Sequence, residues 1–124
     1  MDPVMYQYRP PIDLSNPRLR KLAAALGPAY VRVSGTWANT VYLQDSDALA
    51  ATTPPRGFNG VLTRQEWKGV IDFARAAETR DAACFWTPTQ ARQWFVYTKS
   101  IGGSIAAAEF MNEPTYAGRR TEGL

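Results

Sequence analysis

Glu113 is the acidic side chain whose setting points most directly to chemistry. The run Ile105–Met111 is apolar apart from Glu109, and it closes on Asn112-Glu113-Pro114. This pattern predicts a buried strand that delivers a carboxyl group to its carboxyl end, where α/β barrel enzymes place catalytic groups. Asn112 stands beside it with an amide able to hydrogen-bond a substrate hydroxyl. Cleavage of a glycosidic bond takes two carboxyl groups. Glu109 is the obvious second one, and geometry excludes it as the partner. Four strand residues at roughly 3.3 Å each place the two about 13 Å apart along the chain. Retaining enzymes need about 5–5.5 Å and inverting ones about 6.5–9.5 Å. Glu109 instead reads as one half of an interior ion pair with Arg32, which is charged in the middle of another apolar strand. A buried charge left without a partner is costly.

The other chemistry-bearing residues narrow the field. The chain has no histidine and one cysteine, Cys84. That removes histidine-based triads, Cys-His dyads, the commonest zinc ligand and any intrachain disulfide. Acid-base work falls to Asp, Glu, Tyr or Lys. Asp45-Ser46-Asp47 lacks the glycine and the distal glutamate of a calcium loop, so it reads as a solvated turn. No metal and no cofactor is expected. Trp37, Tyr42 and Trp86 fall in loops or near strand ends. Exposed aromatic rings can cover the apolar faces of sugars, and buried ones anchor loops locally. Trp67 and Trp94 lie on helix stripes and read as packing. There is no phosphate-binding glycine loop and no nucleic-acid motif. The formal net charge of +3 comes with scattered arginines, which fits a solvated surface. No run reaches the roughly 18 apolar residues of a membrane span, and the start has no basic and apolar leader pattern, so no signal peptide is expected.

The elements that must position these residues alternate between helices and short apolar strands. Residues 1–15, with Pro3, Pro10 and Pro11, read as a loop or extended arm. A helix follows, capped by Ser15 or Asn16, with Pro17 in its first turn and Gly27-Pro28 as its stop. Leu19, Leu22, Ala23 and Leu26 give it one apolar face. Ala29–Val33 reads as a strand. The stretch from Thr36 to Gly60 is a long loop in which Val41-Tyr42-Leu43 forms a short strand or a loop anchor. Thr63-x-x-Glu66 is a capping box that opens a second helix running to about Thr79, with Trp67, Val70, Ile71, Ala74 and Ala77 inward. Thr87, Pro88 and Gln90 open a third helix on the same logic, with Ala91, Trp94, Phe95 and Thr98 on one face and Gly102-Gly103 at its end. Only Asp81–Trp86 separates those two helices, barely room for a strand. The order implies parallel strands with helical crossovers, spanning residues 16–124.

Three segments resemble glycoside hydrolase family 79, the family of heparanase and bacterial β-glucuronidases. They are Pro17–Leu22 continuing through Pro28–Thr36, then Leu62–Trp67, then Gly102–Thr115. The resemblance implies a (β/α)8 barrel of which this chain holds roughly the first half, with one strand missing near residues 81–86. It implies a retaining hydrolase of glucuronide-containing polysaccharides or glycosides, whose intact members are often secreted or lysosomal. Glu113 matches the family's general acid/base and Asn112 its sugar-contacting neighbour. Thr36 matches a position at the substrate end of the barrel. Trp37 and Asn39 stand beside it, where the family's pattern varies.

The family's nucleophile is a second Glu on a later strand, and no residue here matches it. Three readings therefore stand side by side. In one, the chain carries the acid/base half of a glycosidase site. In another, it is catalytically inactive, either a truncated fragment or a weak glycan-binding module. A small α/β binding module unrelated to that family is the third.

Overall fold

A computed structural model of the chain describes residues 12–33, 38, 40–49, 51–76, 80–84 and 87–109, with only the backbone described for 80–84 and 109. Its elements, in chain order, are α1 (Pro17–Ala24), β1 (Tyr30–Val33), β2 (Val41–Gln44), β3 (Gly60–Thr63), α2 (Arg64–Ala76), β4 (Arg80–Cys84), α3 (Pro88–Ser100) and β5 (Ile105–Glu109).

Each helix begins where local chemistry directs. Asn16 Oδ1 accepts from the backbone N–H groups of Arg18 and Leu19, and Pro17 occupies the first turn where its missing N–H costs nothing. At α2 the reciprocal box forms: the Thr63 N–H and hydroxyl both donate to Glu66 Oε2, at 2.8 and 2.9 Å, and the Glu66 N–H donates back to Thr63 Oγ1. Thr87 caps α3 through the Gln90 N–H, with Pro88 next. The Gln90 side chain does not complete that box. Its Oε1 accepts the Leu43 N–H at 2.6 Å, so the residue expected to serve its own helix ties α3 to β2 instead. Gly102 ends α3 with φ +73°, a conformation that a Cβ disfavours.

The strands form two parallel ladders. One sheet has the order β1-β4-β5, and the other pairs β2 with β3. Val41 to Gln44 lie level with Gly60 to Thr63. In the larger sheet Tyr30 to Val33 lie level with Arg80 to Ala83, and β4 continues onto β5 with a register shift between Asp81 and Ala82.

This architecture corrects the half-barrel expectation. Residues 80–84 form a strand, so none is missing between α2 and α3. Five residues suffice for an average strand. Arg-Asp-Ala-Ala-Cys has weak β propensity, but a central position with ladders on both sides overrides it. A barrel also requires its sheet to curl and close. Here the three-stranded sheet is open, with β1 and β5 as its edges, and β2-β3 pair with each other rather than extending it. Among the described residues the fold is a small open-sheet α/β fold, not part of a (β/α)8 barrel.

The core lies between α2, α3 and β2. Leu43, Trp67, Ile71 and Trp94 are its buried cluster, with Val33, Leu62, Val70, Ala91, Tyr97, Ile101 and Ile105 packed around it. Trp67 and Trp94 meet edge to face, their ring centroids 5.7 Å apart. The packing expected of these two tryptophans, of Ile71 and of Ala74 is observed. Two expected faces differ. Phe95 is exposed, because Trp94 and Thr98 take the inward positions of α3. The apolar stripe expected of α1 has no fully buried residue: Leu19 and Ala23 are half-buried, Leu22 is 68% exposed, and Leu26, just beyond the helix, is 77% exposed.

Candidate functional site

The densest polar constellation among the described side chains sits at the carboxyl ends of β2 and β3. The parallel register aligns Gln44 with Thr63, so the next residues, Asp45 and Arg64, emerge side by side. Arg64 Nε and Nη2 both reach Asp45 Oδ1 at 2.9 Å, and Nη1 lies 3.3 Å from Asp47 Oδ2. The guanidinium carbon sits 4.9 Å from the Tyr97 ring centroid, a cation–π distance. The Tyr97 hydroxyl donates to the Arg64 carbonyl at 3.2 Å. Gln44 shapes the loop that carries both aspartates: its Nε2 donates to the Ala48 and Leu49 carbonyls, and its Oε1 accepts the Ala51 N–H. Beside the cluster lies a cleft of about 410 Å³ lined by Ser46–Leu49 and Thr63–Glu66.

Both carboxylates of this cluster are engaged by the same guanidinium. Hydrogen bonding to Asp45, with the charges of both aspartates, raises the Arg64 pKa further above its ordinary value. Ser46 and Asp47 are exposed, as a solvated turn requires, and the two carboxylates of Asp45-Ser46-Asp47 in addition contact the first residue of α2.

The remaining described carboxylates are similarly engaged. Asp13 accepts from the Ser15 N–H and hydroxyl, and these bonds lower its pKa below the ordinary 3.8. Glu66 closes the α2 cap. Asp72 pairs with Lys68 one turn before it and with Arg75 three residues after it. Among the described residues no group of three or more His, Cys, Asp or Glu could hold a metal ion.

Five of the residues singled out in the sequence, Glu113, Asn112, Thr36, Trp37 and Asn39, lie outside the described residues, as does Trp86. Tyr42 is half-buried and meets Phe58 edge to face at 5.3 Å, so it anchors the crossover between β2 and β3. Arg32 is exposed on β1. It lies level with Ala82, which lies level with Ala107, and Glu109 is two residues further along β5. One strand and two residues of offset place the Arg32 and Glu109 Cα atoms about 12 Å apart. The Glu109 side chain is outside the described set.

Arg64, Tyr97 and Gln44 are the organising polar residues that sequence reading missed, and Gln90 was read only as part of its own helix start. The signal for Arg64 was present in its place as the first residue of a well-capped helix, with a carboxylate pair just after a short apolar segment. It became meaningful only once that segment paired in parallel with β3.

Compared with models of known protein families and with characterised proteins, the chain matches none. The resemblance to glycoside hydrolase family 79 is therefore not sustained. With it go the assignments that rested on it: a heparanase-like or β-glucuronidase-like hydrolase, a TIM barrel and a glucuronide-containing polysaccharide or glycoside as partner. The open sheet overturns the barrel independently. The described carboxylates form no catalytic pair. Among the described residues no helix is long and apolar enough to cross a membrane. What stands is a small α/β fold with an open sheet.

Proposed function

We propose that this chain is a catalytically inactive α/β module whose contribution is structural rather than hydrolytic. The observation that supports this is the use made of its acids. Asp13, Asp45, Asp47, Glu66 and Asp72, the carboxylates with described side chains, each accept from a local N–H, hydroxyl, ammonium or guanidinium group. These contacts fix turns and helix starts. Glycoside cleavage needs a pair of carboxyls at defined separation, one of them protonated.

The test is an assay of the isolated chain with an aryl β-glucuronide. The expected result is no turnover above the buffer rate. Turnover that Glu113→Gln abolishes would overturn the reading, because it would make Glu113 an acid/base group despite the fold.

A further inference from the structure

We draw no further inference here: the strongest candidate, the apolar groove of about 750 Å³ between the Ile12–Ser15 segment, β1 and α2, carries nothing because nothing in the structure shows what covers it.

Discussion

Thr98 and Gln90 are polar residues in an apolar core, and each solves a hydrogen-bonding problem there. The Trp67 indole is buried, and its Nε1–H donates to Thr98 Oγ1 at 2.8 Å. Thr98→Val keeps the shape and removes the acceptor, leaving a buried donor without its partner, at a cost of about 1–3 kcal/mol. Urea denaturation followed by tryptophan fluorescence measures this. Combining Thr98→Val with Trp67→Phe should cost less than the sum of the two single changes, since the pair is then removed together. Equal sums would show that the bond contributes nothing. Gln90→Met is expected to cost a similar amount by orphaning the Leu43 N–H. Asp13 offers a surface contrast. Its folded pKa lies below the ordinary carboxylate value because Ser15 donates to it twice. A depressed folded pKa means the contribution to stability is present above the unfolded pKa of about 3.9 and is lost as pH falls through the folded value. NMR titration of the Asp13 carboxyl carbon should show a midpoint below 3.8 that moves up in Ser15→Ala. An unchanged midpoint would remove the Ser15 hydroxyl as the cause, since the backbone N–H still donates in the variant.

At the scale of elements, the joint between α3 and β5 is closely packed at Gly103. A Cβ built on Gly103 would lie 2.8 Å from Ile71 Cγ2 and 2.9 Å from Thr98 Cγ2. Both neighbours are β-branched and held in the core, so neither rotates away at low cost. Gly103→Ala is expected to destabilise by about 1–3 kcal/mol through overpacking, read as a lower denaturation midpoint at unchanged slope. Gly57 is the control, with φ +93° and open space around it. Alanine there meets only left-handed backbone strain, about 1–2 kcal/mol. At the start of α2, Glu66→Ala removes the acceptor for two Thr63 donors. The cost should be about 0.5–2 kcal/mol, the range for a lost helix cap. An effect near zero would mean that the Arg64 clasp alone holds this end of the helix.

Across the whole molecule, burial is uneven, and stability should follow it. Trp67, Ile71 and Trp94 place the core on α2 and α3, with Leu43 of β2 beneath them. In contrast, α1 buries no residue, and Ala106, Ala107 and Ala108 of β5 are exposed. Tyr30 on the edge strand β1 is 68% exposed. Local opening free energies track buried contacts. Hydrogen exchange of the intact chain should therefore be slowest in α2 and α3 and fastest in α1. Slow exchange throughout α1 would mean that its apolar stripe is covered in solution.

Much of the local structure was legible in the sequence because its causes are local. Asn16-Pro17, the Thr63–Glu66 box and Thr87-Pro88 satisfy helix-start donors within a few residues, so they identify helices before any packing exists. The 3.6-residue spacing of Trp67, Ile71 and Ala74 likewise marks a buried face in advance. The tertiary structure decided what depends on distant partners. Only ladders on both sides make a strand of Arg80–Cys84. Only the parallel pairing of β2 with β3 brings Asp45 and Asp47 onto Arg64, and only the approach of α3 to β2 turns Gln90 from its own helix start to the Leu43 amide. A carboxylate at a strand end reads the same whether its sheet closes or stays open. Closure depends on how many strands join, and that is a property of pairing between segments far apart in the chain.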